Sequence, residues 1–127
     1  MKLKQKRMIK LKTKKLINSF KYAIEGFITS FKEERNMKIH IIIMIMVIFA
    51  GRFYRINIYE WITCITLFGM VIAGELFNTA IEAVVDIAMP YKNQKAKKAK
   101  DISAAAVLIL SMCAAIIGLT IFIPKML

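Results

Sequence analysis

The chain is 127 residues long, enough for one domain, and 58% of those residues are hydrophobic, with a mean hydropathy of +0.57. It also carries a net charge of +12, from 20 Lys+Arg against 8 Asp+Glu. A small soluble domain lacks the surface to hold both properties, whereas an integral membrane protein separates them, with apolar spans in lipid and charge on the flanks.

Residues 1–15 form a basic arm with eight Lys/Arg, KLKQKRMIKLKTKK after the first Met. Beside a membrane span such an arm holds a cytoplasmic flank against anionic lipid, at about 1 kcal/mol per basic residue near the surface. No nucleic-acid-binding motif accompanies it, so no nucleic-acid partner is expected. No cleavable signal peptide is expected either, because Lys10 to Lys15 interrupt the arm before any apolar core. From 16 to 38 the apolar residues Phe20, Ala23, Ile24, Phe27, Ile28 and Phe31 recur at helical spacing, while Lys21, Glu25, Lys32 and Glu33 lie off that stripe. This pattern predicts an amphipathic helix in the membrane interface.

The first span is predicted over 39–55, short for a bilayer but extended by snorkelling Lys38 and Arg52. A polar turn follows, bracketed by Phe53, Tyr54, Tyr59 and Trp61 as an aromatic belt. The second span covers 61–89 and is ended by Pro90. Tyr91 to Lys100 is a second basic loop with five lysines. The third span covers 102–124, opened by Asp101 as a cap or charge match and closed by Pro124. The positive-inside rule places the N-terminus and the second loop in the cytoplasm and the C-terminus outside. Fold class is therefore all-α and multi-pass: a surface helix plus three transmembrane helices in the cell membrane.

The second span carries the chemistry. In GELFNTAIEAVVD, residues 74–86, Glu75 to Asn78 is i+3, while Asn78 to Glu82 and Glu82 to Asp86 are i+4. All four share one helical face. An ionised carboxylate at membrane depth costs ~2.5–3.5 kcal/mol, so three on one face call for cations, protons or water. A divalent-metal site and a proton or cation pathway both fit that demand. Cys64 and Cys113 lie in apolar runs and read as small buried side chains. His40 reads as a polar residue at the membrane entrance, and the nine methionines as packing or lipid-facing residues.

GELFNTAIEAVVD, followed by AKKAKDISAAAVLI at 96–109, closely resembles the prokaryotic diacylglycerol kinase family. The upstream segment FKYAIEGFITSFKEERNMKIH, residues 20–40, resembles that family's undecaprenol kinase branch, and the likeness runs from about Leu16 to Pro124. The resemblance implies a homotrimer with shared active sites, transferring the ATP γ-phosphoryl group to a lipid hydroxyl, most readily undecaprenol, with diacylglycerol as the alternative acceptor. It implies Glu75 as general base, supported by Asn78, and Glu34 with Glu82 as the pair holding the Mg²⁺ of ATP. Asp86, Lys100, Asp101, Tyr22 and Lys15 match the family's nucleotide contacts, in a group that also takes in Glu34 and Glu82. The loop KNQKAKKAKD departs from the branch in lacking the histidine and proline usual ahead of AK–AKD. No Walker A or GxGxxG occurs, so the lysine-rich loop is the expected phosphate holder. A reading from another class is a small conducting oligomer using Glu75, Glu82 and Asp86 as relay groups.

Overall fold

Residues 1–127 are described by a computed structural model made of four helices, α1 (Lys2–Glu33), α2 (Arg35–Phe53), α3 (Ile58–Ala88) and α4 (Gln94–Met126). Three of them, α2, α3 and α4, are long and apolar enough to cross a membrane. The chain divides into two compact units, Met1–Glu33 and Glu34–Leu127.

The first unit is α1 alone. The arm 1–15 and the stripe-bearing segment after it are one unbroken helix, because Lys, Arg, Gln and Leu are good helix formers and no Pro or Gly interrupts them before Gly26. The chain leaves the helical region at Glu34, with φ −100° and ψ 119°, so α1 ends at Glu33, five residues before the expected end at Lys38. Met37 and Lys38 consequently belong to the first apolar helix.

In the second unit α3 is central, packing along α4 and less extensively on α2, while α2 and α4 make no close backbone approach. Asn57 starts α3 through a capping box: its side chain accepts from the Glu60 amide at 3.0 Å, and Glu60 Oε2 accepts from the Asn57 amide at 2.9 Å. Glu60 also pairs with Lys125 at 3.1 Å, tying the start of α3 to the end of α4. Pro90 follows the Met89 C-cap, consistent with its expected role as a stop.

The helix of the third span, α4, departs from expectation at both ends. It begins at Gln94, not beside Asp101, because Asn93 is the N-cap and accepts from the amides of Lys95 and Ala96 at 2.9 and 3.1 Å. Asp101 is thus two turns inside the helix and pairs with Lys97 one turn earlier. Most of the expected basic loop is therefore helical, with only Met89 to Asn93 connecting α3 to α4. Nor does Pro124 close α4, which continues to Met126.

Gly51 lets α2 and α3 meet closely. A Cβ there would lie 2.8 Å from Trp61 Cη2, closer than real contacts allow, and a tight 3.0 Å from Ile56 Cδ1. Gly51→Val is expected to cost roughly 1–3 kcal/mol through overpacking. Trp61 is the single tryptophan, so its fluorescence in a thermal melt reads this contact directly; an unchanged midpoint would refute the packing argument.

Candidate active site

Helical spacing on α3 puts Val71, Glu75, Asn78 and Glu82 on the face turned into the second unit, with Glu75 and Asn78 buried, Glu82 half-buried and Asp86 exposed. Glu75 is 1% exposed, and neither carboxylate oxygen has a hydrogen-bond partner. Leaving a buried polar group unpaired costs about 1–3 kcal/mol, and more when it is charged. A group kept at that cost belongs where a further proton, cation or hydroxyl is to be received.

Glu75 lines a cavity of about 340 Å³ together with Asn36 and His40 of α2, Asn78 of α3, and Val107 and Ser111 of α4. His40 Nε2 stands 3.8 Å from Glu75 Oε2. That is too long for a hydrogen bond but close enough to present an imidazole to the same small space. The Glu34 and Glu82 carboxylates also lie near enough for their charge to act on Glu75.

Asn78 makes its hydrogen bonds away from Glu75. Its Oδ1 accepts from Ser103 Oγ of α4, and its Nδ2 donates to Glu82 Oε1 at 3.5 Å. Ser103 Oγ also lies 3.2 Å from the Lys100 carbonyl. The amide therefore links α4 to Glu82, and these two contacts fix which way round it faces.

Nearer the α3–α4 turn, Lys100 pairs with Asp86 across the two helices. Both line an open cavity of about 550 Å³ with Tyr91, Lys92, Asn93 and Lys97. Three lysines around one cavity suit a polyanionic ligand such as the phosphates of a nucleotide. Asp101 is exposed, is paired with Lys97 and does not line this cavity. Lys15 and Tyr22 lie on α1, exposed and seven residues apart, hence on one face of that helix.

A divalent cation fits the donor set near Glu75. Glu34 occupies the N-cap position of α2 yet makes no capping hydrogen bond, so its carboxylate is uncommitted. Glu82 has only the Asn78 amide on one oxygen. No group of three or more acidic, His or Cys side chains forms a closed metal cage. Two carboxylates with open positions are what Mg²⁺ uses when phosphate oxygens and water complete its shell.

The second unit thus puts Glu75 and Asn78 on one cavity, with Glu34 and Glu82 outside its lining but near enough to act on Glu75 by charge, and Asp86 with Lys100 on another. Three polar residues gained a place that sequence reading did not give them: His40, Ser103 and Ser111. His40 had a legible signal, since it falls at i+3 from Met37, the most buried residue of α2, and so on the inward face. Ser103 and Ser111 sit in a run of small and apolar residues and carried none.

Known proteins resemble this chain along most of its length. A model of the family described as "Prokaryotic diacylglycerol kinase" matches residues 21–122. The chain is 36% identical over 112 residues to the undecaprenol kinase of Bacillus subtilis (strain 168), covering 88% of this chain and 91% of that one. It is 34% identical over 113 residues to a diacylglycerol kinase of Synechocystis sp. (strain ATCC 27184 / PCC 6803 / Kazusa), covering 88% of this chain and 65% of that protein. A diacylglycerol kinase of Haemophilus influenzae (strain ATCC 51907 / DSM 11121 / KW20 / Rd) is 33% identical over 94 residues, which are 74% of this chain and 80% of its own.

Proposed function

The chain belongs to the prokaryotic diacylglycerol kinase family and is a lipid kinase of the membrane; from that premise we propose that it transfers the γ-phosphoryl group of ATP to the hydroxyl of undecaprenol. The observation that carries the chemistry is Glu75, buried in a cavity with both oxygens free. In the proposed step Glu75 takes the acceptor's hydroxyl proton while the hydroxyl oxygen forms a bond to the γ-phosphorus, and the bond from that phosphorus to the β,γ-bridging oxygen breaks, its electron pair leaving on the oxygen of ADP. Phosphoryl transfer asks mainly for positioning and for positive charge on the phosphates, with little covalent work from the protein. Lys100, oriented by Asp86, and its neighbours Lys92 and Lys97 offer that charge at the open cavity. Asp101, Tyr22 and Lys15 join the nucleotide contacts in this reading.

Glu34 and Glu82 would hold Mg²⁺, which when bound neutralises charge on the phosphates. Asn78, held by Ser103, orients the Glu82 carboxylate and so serves the metal side of the site. The basic arm and the α3–α4 turn face the cytoplasm, where ATP is, and the C-terminus lies outside. α1 lies in the interface by its apolar stripe, and the many large apolar side chains exposed on α2, α3 and α4 serve lipid and a homotrimer.

Undecaprenol as acceptor is supported by the segment 20–40 and by the Bacillus subtilis undecaprenol kinase, 91% of which this chain covers. ATP consumption by purified protein in micelles with Mg²⁺ tests the whole reading, with undecaprenol, diacylglycerol or no lipid added. Fastest turnover with undecaprenol is expected. Preference for diacylglycerol would keep the mechanism and replace the acceptor, while no turnover with any acceptor from folded protein would leave a conducting oligomer as the better reading.

A further inference from the structure

Each transfer of a phosphoryl group from ATP to an alcohol frees the hydroxyl proton, and in the step above that proton ends on Glu75. Glu75 must lose it before the next acceptor binds, yet its side chain is 1% exposed and neither oxygen has a partner. The cavity it lines offers few ways out. Besides apolar side chains, α4 brings only the Ser111 hydroxyl to the wall and α3 only the Asn78 amide. Neither exchanges protons near neutral pH. Glu34 and Glu82 lie outside this lining, and Asp86 and Lys100 pair with each other at the other cavity. His40 of α2 is the one further titratable group on the wall. Its Nε2 stands 3.8 Å from Glu75 Oε2, a separation that closes to a hydrogen bond with a shift of about 1 Å. Its side chain is 18% exposed, so it meets both the buried carboxylate and the outside. Asn36, one turn earlier on α2, lines the same cavity and is exposed, which keeps the wall polar from His40 toward the start of the helix. An imidazole suits such a place, because one ring nitrogen takes a proton while the other gives one up.

We propose that His40 is the proton exit of this site, carrying to water the proton that Glu75 takes from the acceptor. Glu75 receives the hydroxyl proton as the new P–O bond forms. The lone pair of His40 Nε2 then takes it, which restores the carboxylate. The imidazolium so formed loses one proton to water on the Asn36 side and returns to neutral. The sum is one hydroxyl proton released per phosphoryl group transferred, as the reaction of an alcohol with ATP requires. The inference rests on the lipid kinase reading above, with Glu75 as base, and adds to it how that base is reset. His40 acts through Glu75 and touches neither the phosphoryl group nor the acceptor oxygen.

The order of the steps supplies the test. A lost exit leaves the first turnover intact and slows every later one. His40→Gln and His40→Ala are compared with the parent in the same micelles, with lipid phosphate measured on the first turnover by rapid mixing and again in the steady state. Both variants should give a burst equal to the number of active sites, formed at the parent's rate. Steady turnover should then be ~10-fold or more slower, a smaller loss than the ~10²–10⁴-fold that a general base itself contributes. kcat falls while kcat/KM for the acceptor holds, because the missing step follows the chemistry. Added imidazole should restore the steady rate of His40→Ala, where it finds the space of the lost ring, and act less on His40→Gln. A slowed first turnover, or kcat and kcat/KM falling together, would overturn the exit and leave His40 orienting Glu75. An unchanged steady rate would overturn it too, since the proton then leaves another way. His40 is the single histidine of the chain, so if neither variant folds, a histidine-selective acylating reagent makes the same comparison on the parent. A parent that phosphorylates no lipid, or a Glu75→Gln variant as active as the parent, is a different result and falls on the lipid kinase reading.

Discussion

Glu75→Gln is expected to lower lipid phosphorylation by ~10²–10⁴-fold, the usual contribution of a positioned general base. The substitution keeps the size and shape of the side chain and removes only its capacity to take a proton. The structure adds a second expectation that separates chemistry from folding. Glu75 is 1% exposed with both oxygens unpartnered, so its charge makes the folded state less stable. The neutral amide should therefore melt at the same temperature as the parent or higher, by Trp61 fluorescence, while activity collapses. Turnover within a few-fold of the parent would remove Glu75 from the role of base. Activity and melting temperature falling together would make its role structural.

The second large effect concerns Mg²⁺. Glu34 makes no cap and Glu82 has one weak contact, from Asn78 Nδ2 at 3.5 Å, so both carboxylates can turn to a cation. Glu34→Gln and Glu82→Gln should each raise the Mg²⁺ concentration for half-maximal activity at fixed ATP by at least about 10–100-fold, the loss seen even for partners behind metal ligands. Ser103→Ala should shift the same curve in the same direction but less. Without that hydroxyl the Asn78 carbonyl loses its donor on α4, and the amide is freer to turn away from Glu82. Magnesium titrations of the three variants against the parent check the series. Superimposable curves for Glu82→Gln would detach it from the metal. A shift for Ser103→Ala exceeding that for Glu82→Gln would detach Asn78 and Ser103 from the metal side.

Much of the architecture is a local matter and could be read along the chain. Three apolar runs of sufficient length, separated by basic and aromatic flanks, fix three long helices because lipid leaves backbone groups no other partners. The i+3 and i+4 spacing of Glu75, Asn78, Glu82 and Asp86 fixes a shared face, since helical geometry alone decides it. The helix ends were less legible. Asn93 and Asp101 are both plausible N-caps by residue type, and only the backbone shows that Asn93 takes the role while Asp101 sits in mid-helix paired with Lys97. Likewise nothing in the local pattern says whether the helix of 2–33 should pause after its basic arm, and it does not.

The class of protein, the acidic face and, through GELFNTAIEAVVD and AKKAKD, the family are all legible along the chain. Tertiary structure alone decided what meets that face. His40 is 35 residues before Glu75 and Ser103 is 25 after Asn78; they arrive there because α2 and α4 cross α3 at particular heights. Those heights depend on the fit of side chains at close approaches such as Gly51 against Trp61 and Gly74 against Leu110, a sum over long-range contacts that no local period contains. The same crossings leave α2 and α4 apart on either side of α3, which no reading of one helix at a time could have found.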